Sequence, residues 1–172
     1  MSKFTYILSL GGNIGNVDAN FRMALSEINA MGSKVIRTSD IFVSEAWGFA
    51  SCDLFRNMIA EVVSDLEPFD MLTTLQKIER DLGRTHKTID GYYESRSIDI
   101  DIIFCNDEVI ETPRLSIPHP LMHKRNFVLV PLMDHWSEWQ HPVLGISVAQ
   151  LKEKSSDTNK VWRVEDSMIY DL

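Results

Sequence analysis

Isoleucine and aspartate alternate strictly between residues 98 and 102, within the segment Glu-Ser-Arg-Ser-Ile-Asp-Ile-Asp-Ile-Ile-Phe that runs from Glu94 to Phe104. A period of two residues is that of a β-strand, whose successive side chains point to opposite faces of a sheet. The pattern therefore predicts a strand that directs its isoleucines to one face and presents Asp99 and Asp101 together on the other.

Asp99 and Asp101 would lie about 6 to 7 Å apart along such a strand. At this spacing, two carboxylates can bind one or two hard cations between them. Arg96 lies just upstream and adds a positive charge beside the pair. Solvated acids on an edge strand are the simpler alternative. Because aspartate is depleted in strands and like charges on one face repel each other, we favour a metal site that receives an anionic phosphate ligand.

Apolar periodicity and turn residues predict five further elements before this strand. The apolar run at residues 4–10 predicts a first strand, followed by a tight turn at Gly11-Gly12-Asn13. A helix comes next, capped by Asn16 or Asp18 and running to about Met31. The elements that follow are a strand within residues 33–43, a strand from about Phe55 to Val63, a helix from Pro68 to Gly83 and the Asp-Ile-Asp strand.

This order is the ferredoxin-like βαββαβ arrangement, of the α/β (α+β) class. We expect an antiparallel sheet with the helices packed on one face, plus a C-terminal extension. The segment 84–95 has no periodicity and carries Arg84, His86 and Lys87. We interpret it as a long mobile loop that delivers cations, with an ordinary solvated connector as the alternative. The pattern does not predict a structure for the tail after about Trp136.

Length and charge limit the possible classes of protein. The chain has 172 residues, 44% of them hydrophobic, which predicts a single domain over residues 1–172. A net charge of -8 argues against a nucleic-acid duplex or an anionic membrane as partner, because both bind basic surfaces. Cys52 and Cys105 have neither disulfide-framework nor zinc-site spacing, and we see no signal peptide, so we expect a cytoplasmic protein. We also expect a monomer.

Six short motifs follow one another along the chain. They are Leu10-Gly11-Gly12-Asn13-Ile14-Gly15-Asn16, Phe55-Arg56-Asn57, Gln76-Lys77-Ile78-Glu79-Arg80-Asp81-Leu82-Gly83-Arg84, Arg96-Ser97-Ile98-Asp99-Ile100-Asp101-Ile102-Ile103, Arg114-Leu115-Ser116-Ile117-Pro118-His119-Pro120 and Arg125-Asn126-Phe127. Through this ordered set, over residues 6–133, the chain resembles the family of 6-hydroxymethyl-7,8-dihydropterin pyrophosphokinases. Each motif is common alone, but the set around the Arg-x-x-Asp-x-Asp core is specific.

The resemblance implies a ferredoxin-like fold and a transferase of folate biosynthesis. Its small-molecule substrates would be ATP and the hydroxymethyl-dihydropterin, and its products AMP and the pterin diphosphate. Asp99 and Asp101 would hold two magnesium ions that bridge to the phosphates of ATP. Arg84 and Arg96 would complete the catalytic set, clamping the phosphates as the loop closes. Many members have Gly-Pro where this chain has Glu94-Ser95, and the loop is two residues longer here, which affects closure.

The resemblance also implies the other ligand contacts. A flat bicyclic pterin calls for aromatic faces and an amide at its rim, here Phe55, Phe127 and Asn57, although such aromatics are more often plain core. The implied pterin contacts are Ser44, Glu45, Trp47, Phe55, Asn57 and Phe127. The implied nucleotide contacts are Gln76, Glu79, Arg84, Tyr93, Arg96, Ile102, Arg114, Ser116, His119 and Arg125.

Simpler readings exist for several of these nucleotide contacts. Gln76 and Glu79 could be plain helix-surface residues and Arg114 a solvated strand end. His119 could be a rigid turn residue and Arg125 a helix cap. For the whole chain, one alternative is a metal-dependent phosphoryl or nucleotidyl transferase with another acceptor, which would not need the pterin set. The other is a non-catalytic ferredoxin-like module, which would not need paired aspartates beside arginines.

Overall fold

An antiparallel β-sheet forms the centre of the computed structural model, which describes residues 3–45, 54–83 and 97–164. The strands are β1 (Phe4–Gly12), β2 (Lys34–Thr38), β3 (Phe42–Ser44), β4 (Phe55–Ser64), β5 (Asp99–Cys105), β6 (Ile110–Glu111), β7 (Ser116–Ile117) and β8 (Val161–Arg163). The main sheet has the order β5–β1–β4–β3–β8, and β2 also pairs with β4. The strands β6 and β7 form a separate pair. This architecture confirms the predicted α/β (α+β), ferredoxin-like class.

Helices α1 (Val17–Ala30) and α2 (Pro68–Asp81) pack on one face of the sheet. The first begins where predicted, because the Asn16 side chain accepts a hydrogen bond from the Ala19 backbone N–H at 3.0 Å. The second begins with Pro68, at a position where the missing backbone N–H costs little. Both helices bury an apolar stripe, formed by Phe21, Leu25 and Ile28 in α1 and by Met71, Leu75 and Ile78 in α2.

The opposite face of the sheet is covered by a helical layer that the sequence pattern did not predict. It consists of α3 (Asn126–Leu132) and α4 (Val148–Lys154). Their apolar residues form a second core with sheet residues that include Ile7, Ile59 and Ile103. The prediction of helices on one face is therefore correct for α1 and α2 and is corrected for this later part of the chain. In the described ranges, no helix has the length and apolarity to cross a membrane.

The predicted strand at residues 33–43 is in fact two strands, β2 and β3, which both pair with β4. Ser39 lies between them. Its backbone N–H donates to the Ile59 carbonyl at 2.8 Å, and its hydroxyl accepts from the Ile59 N–H at 2.9 Å. A side chain thus replaces a backbone partner at this point, which interrupts the regular ladder. The β-branched composition predicted the strands but carried no signal for the break.

The last described strand, β8, extends the sheet beside β3. Arg163 of β8 donates to Asp134 at 2.6 Å and also to Asp40. Its guanidinium lies 4.7 Å from the centroid of the Phe42 ring. The hydrogen bond to Asp134 raises the pKa of Arg163 further above its ordinary value. The tail is therefore attached to the strand that ends at Ser44, one of the predicted pterin contacts.

His141 is a buried titratable residue on the α3 side of the sheet. Only 6% of the residue is exposed. Its Nδ1 accepts hydrogen bonds from the backbone N–H groups of Val143 and Leu144 at 3.2 and 3.0 Å. Burial lowers the pKa of His141, and the nearby His123 lowers it further. The folded protein therefore favours the neutral imidazole, and the unfolded chain binds a proton at this residue more readily in mild acid.

We expect the free energy of unfolding to fall as the pH drops below about 6.5, the pKa of histidine in an unfolded chain. The pKa is lower in the folded state, so the stabilising contribution is complete above that pH and is lost on acidification. His141→Asn keeps an acceptor near the Nδ1 position but cannot titrate. Urea unfolding at about pH 5 and about pH 7.5 should show a smaller pH-dependent loss for this variant. Equal losses would contradict the assignment.

Candidate active site

Strand β5 presents its two aspartates as the alternation predicts. Ile100 and Ile102 are buried in the core formed with α1 and α2, and the half-buried Asp99 and Asp101 lie on the α3 side of the sheet. Among the described strands, β5 lies at the edge of the sheet and pairs only with β1. Two like charges on one face of a strand repel each other unless a cation compensates them. A cation bound between Asp99 and Asp101 would therefore reduce the repulsion between the two carboxylates.

The donor set at this position suits a hard divalent cation. Magnesium is commonly bound by one or two carboxylates, with waters and substrate phosphates completing an octahedral shell. Both aspartates offer oxygen donors and keep part of their surface open. In the described ranges, no group of three or more His, Cys, Asp or Glu side chains could hold a metal by itself. A cation held by Asp99 and Asp101 would therefore depend on oxygens from waters and from a bound ligand.

A row of directly paired residues leads from the aspartates across the sheet. Asp99 pairs with Gly11 of β1, and Gly11 pairs with Asn57 of β4. Adjacent strands lie about 4.8 Å apart, so Asp99 and Asn57 are separated by about 10 Å. A Cβ atom on Gly11 would lie 3.4 Å from Asn57 Oδ1, at the limit between a tight and an ordinary van der Waals contact. The glycine thus leaves open the space between the Asp99 carboxylate and the buried Asn57 amide.

Asn57 is held in place by Ser44. The Asn57 Nδ2 donates to Ser44 Oγ at 2.8 Å, and both residues are buried. Phe55 lies two residues earlier on β4 and pairs with Ser44 in the register of the two strands. The structure therefore brings together three of the predicted pterin contacts, Ser44, Phe55 and Asn57. Glu45 is exposed just beyond β3.

His119 faces the aspartate pair. Its Nδ1 accepts a hydrogen bond from the Leu121 backbone N–H at 3.1 Å, and its Nε2 lies 4.0 Å from Asp101 Oδ2. Burial lowers the pKa of His119 to about 4, and the positive charge of Arg125 contributes to the shift. The imidazole is therefore neutral near pH 7, with its proton on Nε2. His119 is both a turn residue and a donor directed at the site.

Arg125 and Phe127 flank the first residue of α3. The Arg125 Cζ lies 5.6 Å from the centroid of the Phe127 ring, in cation–π range. Arg125 occupies the N-cap position, but its side chain makes no capping bond among the described residues. The helix-cap alternative is therefore wrong for this side chain. Phe127 is half-buried and packs against the second core, so it is partly a core residue.

Glu79 does not lie on the helix surface. It is only 6% exposed. Its Oε1 accepts a hydrogen bond at 2.7 Å from the backbone N–H of Ile100, the residue between the two aspartates. The helix-surface alternative is therefore wrong for Glu79, which ties α2 to β5. Gln76 is half-buried about one turn earlier. The Ile102 side chain is buried in the first core, so a ligand at the edge of β5 would meet the backbone of this residue.

Arg114 and Ser116 lie in and beside the β6–β7 pair. Arg114 is exposed and donates to Thr73 Oγ1 of α2 at 2.8 Å, so it is attached to the helix. Ser116 and His119 both line a cavity of about 470 Å³, together with His123 and other residues. The aspartates do not line this cavity. The cavity and the aspartate pair are therefore distinct, and His119 contributes to both, since it lines the cavity and its Nε2 lies 4.0 Å from Asp101 Oδ2.

Four predicted site residues lie outside the described residues: Trp47, Arg84, Tyr93 and Arg96. The predicted mobile loop at residues 84–95 does so too. Sequence reasoning also missed one residue of the site, because it placed Gly11 in a tight turn, whereas the structure keeps Gly11 and Gly12 in β1. The available signal was a glycine within an apolar strand pattern, which often marks a close approach of ligand or backbone.

Residues 7–137 match the family model described as 7,8-dihydro-6-hydroxymethylpterin-pyrophosphokinase (HPPK). A 2-amino-4-hydroxy-6-hydroxymethyldihydropteridine pyrophosphokinase of Porphyromonas gingivalis is 39% identical over 136 residues, which cover 78% of this chain and 92% of that protein. The folic acid synthesis protein fol1 of Pneumocystis carinii is 39% identical over 150 residues. These residues cover 87% of this chain but 20% of fol1, so the chain spans about a fifth of that relative.

The fold is also similar to a solved structure of HPPK-DHPS from Plasmodium falciparum. The TM-score is 0.72, and the match covers 89% of this chain and 45% of the other. Sequence identity is 18%, so this likeness shows the fold alone. The fold is thus shared with a known protein, and its core agrees with the βαββαβ order predicted from periodicity.

Proposed function

Because the chain belongs to the 7,8-dihydro-6-hydroxymethylpterin-pyrophosphokinase family, we propose that it transfers pyrophosphate from ATP to 6-hydroxymethyl-7,8-dihydropterin in folate biosynthesis. The products are AMP and the pterin diphosphate. The observation that carries the proposal is the row Asp99–Gly11–Asn57. It supports a metal-bound phosphate at one end and a pterin rim at the other, with open space for a hydroxymethyl group between them.

The reaction joins the pterin to the two terminal phosphates of ATP. The hydroxymethyl oxygen attacks the β-phosphorus, the bond to the α,β-bridging oxygen breaks, and AMP leaves. The hydroxyl proton passes to water. Two magnesium ions, held by Asp99 and Asp101, would neutralise charge on the phosphates and lower the barrier to attack. The protein's own task is to bind both substrates and hold the reacting atoms in line.

The phosphates would be met by several donors around the aspartate pair. The neutral His119 offers its Nε2–H on the side of Asp101, and Arg125 lies close enough to affect the pKa of that histidine. Arg84 and Arg96 would add the bidentate arginine contacts that suit phosphate oxygens, and Arg114 would add another.

The base and sugar of ATP would lie along the edge of β5 that pairs with no other described strand. Glu79 fixes that edge through the Ile100 N–H, so its part in nucleotide binding is to position the strand. Ile102 lies two residues after Ile100, so its backbone groups point to the same edge of the strand. They could form hydrogen bonds with a ligand there. Gln76, Tyr93 and Ser116 would complete the contacts to the nucleotide.

The pterin would bind on the α3 side of β4. Asn57 can form hydrogen bonds with the polar rim of the ring, because Ser44 fixes the orientation of its amide. Phe55 and Phe127 would supply the two faces, because a flat ring gains most from aromatic contact above and below. Glu45 and Trp47 would supply the remaining contacts to the pterin.

We further propose a monomeric, single-domain, cytoplasmic enzyme whose partners are these small molecules and no nucleic acid. The net charge of -8 supports the last point, since nucleic-acid binding requires a basic surface. Cys105 is a free, buried thiol, and burial raises its pKa to about 11, which makes it unreactive. A buried thiol of this kind needs no oxidising compartment.

The proposal is tested by identifying the nucleotide product. We expect AMP to form only when ATP, magnesium and 6-hydroxymethyl-7,8-dihydropterin are all present, and chelation of magnesium with EDTA to stop the reaction. Anion-exchange chromatography separates AMP from ADP. ADP as the product would contradict pyrophosphoryl transfer. Steady consumption of ATP without pterin would instead favour the metal-dependent transferase that uses another acceptor.

A further inference from the structure

Residues of the C-terminal tail are fastened to the start of α3. Asp157 Oδ2 accepts a hydrogen bond from the Asn126 backbone N–H at 2.8 Å. In return, Asn126 Nδ2 donates to the backbone carbonyls of Asp157 and Asn159 at 2.8 and 3.3 Å. Asn126 is only 7% exposed, so these bonds form in surroundings where competition from water is weak. We call Asn126, Asp157 and Asn159 the tail clamp.

Asp157 supplies the capping bond that the helix lacks locally. The first backbone N–H groups of a helix have no partner within the helix and need an acceptor from elsewhere. Arg125, at the N-cap, provides no side-chain capping bond among the described residues, and Asp157 provides one from 31 residues further along the chain. Its second oxygen accepts from the Asn159 N–H at 3.0 Å, which fixes the orientation of the carboxylate.

The clamped residue lies between two proposed substrate contacts. Arg125 precedes Asn126 and is expected at the triphosphate, and Phe127 follows it and is expected at the pterin ring. The Arg125 Cζ lies 5.6 Å from the centroid of the Phe127 ring, so the two side chains lie together. Because both share a peptide bond with Asn126, any shift of this residue would displace both contacts at once.

We propose that the tail clamp is a positioning device for both substrates, with Asp157 as its key residue. This inference rests on the proposed function. Asp157 touches neither substrate in this scheme, and it acts by holding Arg125 and Phe127 in the orientation that binds. Without it, that orientation is populated for only part of the time, and the apparent affinity for each substrate falls by the same fraction.

The test compares steady-state kinetics of variants in the full chain. We expect Asp157→Ala to raise the KM for ATP and for the pterin together, by about five-fold to thirty-fold each, with a smaller change in kcat. Asp157→Asn keeps an oxygen that can accept the Asn126 N–H, so its KM values should lie within about two-fold of the wild type. Glu153→Ala removes an exposed acid from the same tail and serves as the charge control.

A second variant makes the outcome decisive if Asp157→Ala fails to fold. Asn126→Ala removes the two side-chain bonds of the clamp and retains the backbone bond to Asp157, so it should raise both KM values by a smaller factor. Unchanged KM values in a folded clamp variant would overturn the inference. So would an increase for only one substrate, an increase that Asp157→Asn does not rescue, or one that Glu153→Ala reproduces. Absence of AMP formation by the wild type would instead overturn the proposed function.

Discussion

Replacing Asp101 by alanine is expected to reduce the rate of AMP formation by about three orders of magnitude, and Asp99→Ala to have a comparable effect. Each change removes one of the two carboxylates on the α3 side of β5 that we propose as magnesium ligands. The charge on the attacked phosphate would then lack its main compensation. Stopped-flow or quenched measurements of AMP under single-turnover conditions would separate this loss from slower product release.

The same variants should not be less stable than the wild type. The aspartates lie on one face of a strand, and removing one carboxylate relieves the repulsion between them in the metal-free protein. Urea unfolding in the presence of EDTA should therefore give an equal or higher free energy of unfolding. Asp107→Ala, which removes an exposed aspartate just after β5, is the matched control and should retain normal turnover. A near-normal rate for Asp101→Ala at ordinary magnesium concentration would rule out its role as a ligand.

Asn57→Ala is expected to weaken pterin binding by about five-fold to a hundred-fold, which corresponds to about 1 to 3 kcal/mol, with little effect on ATP. The residue is only 3% exposed and faces the space that Gly11 leaves open. In the variant, the pterin atoms that pair with this buried amide would lose a hydrogen bond and could not replace it with one to water. Phe55→Ala should cause a loss of similar size, through the missing aromatic face.

Calorimetry with a pterin analogue and a non-hydrolysable ATP analogue measures the two affinities separately. Asn29→Ala is a suitable control, because it removes an asparagine that accepts the Val35 N–H at 2.9 Å at the end of α1, away from the site. This control should bind both ligands normally. If Asn57→Ala weakened the binding of both ligands equally, Asn57 would stabilise the sheet through Ser44 and would not bind the pterin directly.

The local periodicity of the sequence was sufficient to predict the central strands of the sheet and the face that carries the aspartates. The alternation of Ile100, Asp101 and Ile102 reflects the two sides of one strand directly, and the stripe of α1 reflects the packing of one helix. Such patterns depend only on near neighbours in the chain. The ordered motifs then related this geometry to a family, which a single aspartate pair does not do.

Features that depend on distant residues could not be predicted in this way. Glu79 resembles any helix acid, and its burial follows only from the position of α2 against β5. Asp157 resembles any loop acid, and its role appears only when the tail meets α3. The short strand β8 has too few residues for a period to be detected. In each case the partner lies far away in sequence, so the local pattern contains no trace of it.

The position of β5 at the edge of the sheet has a consequence for the behaviour of the protein at high concentration. An edge strand exposes backbone groups that can pair with another molecule and begin aggregation, and charged side chains are a common protection against such pairing. Asp99 and Asp101 place negative charges on this strand, and Glu79 occupies the Ile100 N–H that an incoming strand would need. The same carboxylates that we propose as magnesium ligands are therefore also expected to keep the protein in solution.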